Sequence, residues 1–283
     1  MAVIPVPDHK YHAEATAFHG HLVSPLPQII PPHSFVKLKP EGGYLSQDSV
    51  DFRLERIVTF DSSHTQVSGR DEPKSGGWAT LSTSVVEGLN ILEVITIDRV
   101  VAQISTVHYR DGYTPYISFL GTRFENFRIA GYPVDVKLNM HIVGDRPAGN
   151  VHYHSDPSFK KRVKDQCDNL LAFGDNAPTH ARDRYTGALS GAPSEDEKAE
   201  VLNFSLVEEI RGDFPGKAFG HVIHVPDFGD ISLATVALFS GHYEKGGTPL
   251  STTVELTMLE VKLGCLADGI VNVATAKTNG PGG

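Results

Sequence analysis

"FRLERIVTF", residues 52–60, alternates apolar and polar side chains, with Phe52, Leu54, Val58 and Phe60 on one face and only Arg56 interrupting it. A period of two marks extended chain with one face buried, because successive side chains leave a strand on opposite sides. The same patterning recurs outward from this stretch. It is present in "FVKLK" (35–39), "ATLSTSVVE" (79–87), "RVVAQISTVH" (99–108), "YISFLGTRF" (116–124) and "PVDVKLNMHIV" (133–143). It returns in "VLNFSLVEEI" (201–210), "AFGHVIHV" (218–225), "ISLATVALF" (231–239), "TTVELTMLEVKL" (252–263) and "GIVNVATAK" (269–277). Eleven such runs, separated by Gly- and Pro-rich turns, predict a mostly β chain folded as an antiparallel β-sandwich or barrel.

One stretch departs from this rule. "DPSFKKRVKDQCDNLLAF" spaces Phe159, Val163, Cys167, Leu170 and Leu171 as a helix does, with Asp156 or Ser158 as N-cap and Pro157 tolerated in the first turn. A helix is expected over 158–172. The polar run 174–200 reads as a long surface loop, with a short helix in "SEDEKAE". The chain thus divides into a first β-rich part (1–150), a helix and loop (151–200) and a second β-rich part (201–283), and the two β parts can form one domain.

The two parts also echo each other. "FHGHLVSPLPQIIPPHSFVKL" (18–38) parallels "AFGHVIHVPDFGDISLATVAL" (218–238), and "STSVVEGLNILEVITIDRVVAQIST" (82–106) parallels "STTVELTMLEVKLGCLADGIVNVAT" (251–275). The expectation is an internal repeat, with an extra hairpin near 44–75 in the first copy. Shared composition of Ser-, Thr- and Val-rich strands is the alternative.

With 283 residues, 40% of them hydrophobic and 21% charged, the chain is globular and large enough to bury its own core. A formal charge of −9 argues against a nucleic-acid partner, which needs a basic surface to replace phosphate counterions. The densest basic run, "KKRVK" (160–164), falls on the expected helix and suits a solvated face. Two cysteines, Cys167 and Cys265, give no disulfide framework and no zinc spacing, and whether they pair is open. The N-terminus carries no basic and apolar leader, and no apolar run reaches membrane-spanning length. The sequence as given therefore predicts a soluble cytoplasmic protein with no membrane insertion, or an extracellular one if a leader has been removed.

Three segments carry a family likeness. "YISFLGTRFENFRIAGYPVDVKL", "PGKAFGHVIHVPDFGDISLA" and "LTMLEVKLGC" resemble a set of uncharacterised bacterial β-rich proteins, a likeness spanning most of the chain. "TLSTSVVEGLNILEVITIDRVVAQIST" is similar to choice-of-anchor P surface proteins. Neither resemblance implies an activity or a set of catalytic residues.

Chemistry, if present, is expected among the 14 histidines. In "AGNVHYHSDPSF" (148–159), His152, His154 and Asp156 stand at every second position, so a strand would place them on one face within reach of one ion. Zinc, manganese or iron accepts such ligands, and the Pro-x-Gly then His-x-His order resembles cupin metal sites, although the cupin glutamate is missing. His221 or His224 from the second β part would complete the set, but a regular strand sends these two to opposite faces. The competing expectation is that His152 and His154 decorate a solvent-facing strand end.

Other chemistries find no support. There is no Gly-x-Ser-x-Gly elbow, no Walker A loop and no dinucleotide fingerprint, hence no expected nucleotide cofactor. Loops 224–230 and 128–135 combine aromatics with Asp, Pro and Gly, which suits either tight turns or a surface for a small molecule or glycan. The leading expectation is a non-enzymatic sandwich for binding or self-assembly as a homo-oligomer. A metal-dependent, cupin-like enzyme and a carbohydrate-binding module are the alternatives.

Overall fold

A computed structural model describes residues 9–24, 27–72, 76–110, 114–148, 151–188, 200–243, 249–264 and 267–279. The opening stretch "FRLERIVTF" is two strands. Strand β3 (Gly43–Leu54) ends at Leu54, Glu55 takes a left-handed backbone (φ 51), and β4 (Val58–Glu72) begins at Val58. Arg56, the residue that broke the alternation, sits in the turn. Phe52 and Phe60 keep to one face because they are cross-strand partners, stacked at 4.5 Å between ring centroids. Phe18 joins them from β1 (His12–Ser24), which is followed by β2 (Gln28–Lys37).

Strand β5 (Gly77–Ile91) and β6 (Ile95–Tyr109) form the longest hairpin of this half, turning at Leu92 and Glu93, both with positive φ. Five short strands follow: β7 (Tyr116–Ser118), β8 (Arg123–Glu125), β9 (Arg128–Ile129), β10 (Tyr132–Pro133) and β11 (Asp135–Leu138). "YISFLGTRF" and "PVDVKLNMHIV" are therefore broken by turns. After the helical region come β12 (Glu200–Ser205), β13 (Val207–Arg211), β14 (Lys217–Phe219), β15 (Val222–Val225), β16 (Gly229–Tyr243), β17 (Pro249–Gly264) and β18 (Asp268–Asn279).

Two eight-stranded antiparallel sheets result. Sheet A runs β14-β15-β16-β17-β18-β1-β2, with β12 also on β16, and sheet B runs β10-β9-β6-β5-β4-β3, with β7 and β8 also on β6. Strands β11 and β13 pair separately. Neither sheet closes on itself, so of the two expected architectures the sandwich is the one formed. Its interior is a continuous apolar cluster drawn from both β parts and the helices, including Phe18, Ile97, Ile104, Phe159, Phe204, Leu233 and Val273. Small residues let the sheets approach at one end, where Ser84 Oγ donates across the interface to the Thr16 carbonyl at 2.9 Å and Ser82 Oγ to that of Glu14.

The expected helix is observed as α1 (Pro157–Leu171), capped by Asp156, whose Oδ1 accepts from the Ser158 amide at 2.9 Å. Lys160, Lys161 and Lys164 of the basic run point to solvent, whereas Arg162 donates to the carbonyls of Ile142 and Val143. Part of the expected loop is a second helix, α2 (Thr179–Ala188), in which Ala181 and Tyr185 are buried and whose sequence, THARDRYTGA, lacks a readable apolar stripe. The proposed helix in 194–200 lies outside the described residues except for Glu200, which begins β12. Cys167 is buried, and Cys265 lies outside the described residues.

The first sequence echo does not correspond to equivalent structure. Gly20 and His21 lie within β1, paired on both sides to β18 and β2, while Gly220 (φ 62) and His221 form the turn between β14 and β15. The second echo joins two long hairpins, β5–β6 and β17–β18, that face each other across the core. Among the described residues, no helix is long and apolar enough to cross a membrane.

Candidate functional site

The stretch around His152 is not a strand. His152 has an extended backbone (φ −73, ψ 150) and caps a single 3-10 turn, Tyr153–Ser155, after which Asp156 starts α1. The turn is anchored by Tyr153, whose ring packs edge-on against Phe159 and whose hydroxyl donates to the Pro115 carbonyl at 3.0 Å. Asp156 is thereby committed to capping the helix. Because the chain coils here, the expected row of three ligands on one strand face does not form.

His152 and His154 do meet, and they are buried (7% and 6% exposed), so they do not decorate a solvent-facing strand end either. Their Nδ1 atoms lie 2.9 Å apart. Ser240 and Thr252, cross-strand neighbours on β16 and β17, supply the rest of the cluster. Ser240 Oγ lies 2.6 Å from His154 Nδ1 and 3.0 Å from His152 Nδ1, and Thr252 Oγ1 lies 3.0 Å from His152 Nε2. Burial pushes the His152 imidazole down to about 4, so it is neutral near pH 7. One Nδ1–H donates to the other ring, and the hydroxyls complete a network that pins the turn to the paired strands β16 and β17 of sheet A.

Replacing Ser240 by Ala should strand buried imidazole nitrogens and lower stability by about 1–3 kcal/mol, measurable by urea unfolding. A loss below experimental error would mean that the contacts do not hold the turn.

The remaining candidates lie elsewhere. His221 packs edge-on against Tyr185 at 4.9 Å, and burial followed by the Arg184 and His180 charges pushes it down to about 3. His224 faces the opposite way, exposed, with Nδ1 2.7 Å from Asp230 Oδ1, while His180 approaches the other Asp230 oxygen at 3.3 Å. The opposite orientation of His221 and His224 is the one expected from their spacing. Among the described residues no three His, Cys, Asp or Glu side chains converge as a metal set, so the five expected ligands do not form one site. Two imidazoles and a hydroxyl fall short of the three protein ligands usual for catalytic zinc. Zinc or manganese added to metal-free protein should leave the thermal midpoint unchanged, and an upward shift would restore the metal reading.

Loops 128–135 and 224–230 converge at one end of the sandwich on a cavity of about 280 Å³, whose walls include Leu92, Val94, Ala130, Pro226 and Phe228. Phe228 is buried there and offers no stacking platform to a sugar.

The feature that sequence reading missed is an edge. Among the described residues ten large hydrophobic side chains stand exposed, and six of them belong to β1–β3: Val23, Ile29, Phe35, Tyr44, Leu45 and Val50. Strands β2 and β3 end their sheets on the same side of the sandwich and touch each other there. A strand edge presents unpaired backbone amides and carbonyls, which proteins normally guard. Edges β10 and β14 are only two and three residues long, Pro31 and Pro32 interrupt β2, and β12 has its Ser205 backbone bonded on both sides by the Gln166 side chain of α1. Strand β3 is 12 residues long and contains no proline or lysine; its guards are the charges of Asp48, Asp51 and Arg53 and a bulge at Asp51 (φ 54), which leave the 43–50 stretch, with Tyr44, Leu45 and Val50, regularly paired to β4.

An antiparallel two-sheet sandwich, with a polar histidine network and one long edge strand carrying exposed apolar side chains, is the class that fold and site define. The chain belongs to a family of unknown function, DUF8256, whose model matches residues 9–239 and so runs through both β parts. This agrees with the likeness to an uncharacterised family, whereas no similarity to choice-of-anchor proteins is found. No curated protein and no solved structure matches the chain.

Proposed function

We propose that this protein is a non-enzymatic sandwich that self-assembles by pairing β3 with β3 of a second copy. The observation that carries the reading is a 12-residue edge, free of proline and lysine, with exposed Tyr44, Leu45 and Val50 along it. A two-fold axis through the middle of β3 joins the two edges as an antiparallel pair, each subunit presenting the same patch. The two copies of sheet B then become one continuous sheet. Exposed Ile29 and Phe35 on the adjoining β2 fall beside the new seam and add apolar contact.

The ligand count of the histidine cluster, two imidazoles with two hydroxyls, favours this reading over metal-dependent catalysis. Light scattering on a sizing column is expected to give twice the chain mass of 30.7 kDa at micromolar concentration. A strict monomer at all concentrations tested would refute the assembly.

A further inference from the structure

Between β16 and β17 the register skips Ala234 and Met258, so that Leu233 faces Leu259 and Thr235 faces Thr257. Ala234 takes a left-handed backbone (φ 46), and Met258 and Leu259 are both buried. The register is the same on both sides of this break, but the buried side of β17 switches from even positions up to Met258 to odd positions from Leu259. Glu260 consequently shares the outer face of sheet A with Glu255 and Thr257, which its odd spacing from them would forbid on a regular strand.

Helix α2 lies over this face. Arg184 grips Glu260 with one terminal nitrogen, 2.7 and 2.9 Å from its two oxygens, and His180 reaches Asp230. Between helix and sheet is a cavity of about 180 Å³, lined among others by Tyr185, Asn203, Thr235, Glu255 and Thr257. Its charges balance, since Arg184 offsets Glu260 and Lys277 stands 3.5 Å from Glu255. A second observation comes from Tyr185, a wall residue that is itself 1% exposed. Among the described residues its hydroxyl has no hydrogen-bond partner, and neither do the two ring nitrogens of His221 packed against it. Buried polar groups are nearly always satisfied in native proteins, by protein, water or ligand.

We propose that this cavity binds a neutral polyhydroxylated molecule, a single saccharide unit or polyol. An ion would unbalance the lining, and an apolar ligand would leave its amide, hydroxyls and carboxylate unpaired. Hydroxyl groups, each both donor and acceptor, match Asn203, Thr235, Thr257 and Glu255. The site is independent of the β3 edge, which ends sheet B, whereas the cavity lies on β12, β16 and β17 of sheet A.

The test is saturation-transfer NMR on the full chain with glucose, galactose, mannose, N-acetylglucosamine and myo-inositol as probes at millimolar concentration. At least one probe should receive saturation. Thr257→Val combined with Glu255→Gln should weaken its binding about tenfold or more, a change of about 1.4 kcal/mol. Thr257→Val alone, which keeps the side-chain shape, should weaken it in the same direction if the double variant folds poorly. Glu208→Gln, on exposed β13, should leave it unchanged. Silence from all five probes, or a response that survives Thr257→Val, would overturn the proposal.

Discussion

Lowering the pH from 7 to 4 is expected to unfold the protein, and the buried histidines are the reason. His108 has no exposed surface and His221 very little, and among the described residues neither has a hydrogen-bond partner on its ring. Burial, reinforced by the charges of His9 and Arg146 at His108 and of Arg184 and His180 at His221, pushes both down to about 3 from the ordinary 6.5. Burial also pushes His9 and His152 down to about 4.

A histidine depressed in the folded state is neutral there while the unfolded chain binds a proton below pH 6.5. The unfolded state then holds more protons, so stability is complete above about pH 6.5 and falls as the pH drops toward the folded values. At about 1.4 kcal/mol per pH unit, the nominal loss from His108 and His221 by pH 4 is roughly 7 kcal/mol, and a third of that is still about 2 kcal/mol. Either is a large share of the roughly 5–15 kcal/mol that holds a typical domain together. Glu14, held down to about 2 chiefly by its hydrogen bond from His12 and also by Lys37, adds a further loss as the pH falls from 4.5.

Circular dichroism across this range should show the transition. His108→Phe with His221→Phe should move its midpoint down by about half a pH unit or more, because those protons are no longer taken up. An acid midpoint unaffected by both substitutions would show that the rings are not held neutral.

The second large effect concerns assembly. Val50 and Leu45 are exposed on β3, and lysine at an edge is a common natural guard against pairing. Val50→Lys with Leu45→Lys is expected to convert the dimer to monomer, weakening association by at least about a hundredfold, or about 2.7 kcal/mol. Both side chains already face solvent, so chain stability should change by no more than about 0.5 kcal/mol each. A dimer that persists in this variant would place the interface elsewhere.

The faces of the strands were legible in the sequence because burial of one side imposes a period of two. The turns were less legible. "FRLERIVTF" reads as one strand because Phe52 and Phe60 are cross-strand partners on one face and only Arg56 breaks the period, and in "YISFLGTRF" the one marker of the turn is Gly121 (φ 100), since Phe119 is buried like its strand neighbours. Helix α1 was readable from its stripe and its Asp156 cap. Helix α2 was not, because its packing relies on polar links such as Arg184 to Glu260, 76 residues away.

The His152 and His154 pairing was visible as spacing, but its geometry was misjudged, because Pro157 and the Asp156 cap begin the helix where a strand would have to continue. Their partners Ser240 and Thr252 are some 86 to 100 residues distant and common in type, so no local signal names them. The edge at β3 was invisible for a related reason. Whether a strand has a neighbour on both sides is set by the whole sheet order, and Tyr44, Leu45 and Val50 do not alternate in a way that separates an edge from an interior strand.

Backbone hydrogen exchange along β3 tests the assembly most directly. In a dimer joined through this strand, the amides of residues 43–54 that point away from β4 should be protected, and that protection should fade on dilution and vanish in the double lysine variant. Rapid exchange of those amides at concentrations where the protein is dimeric would contradict the account.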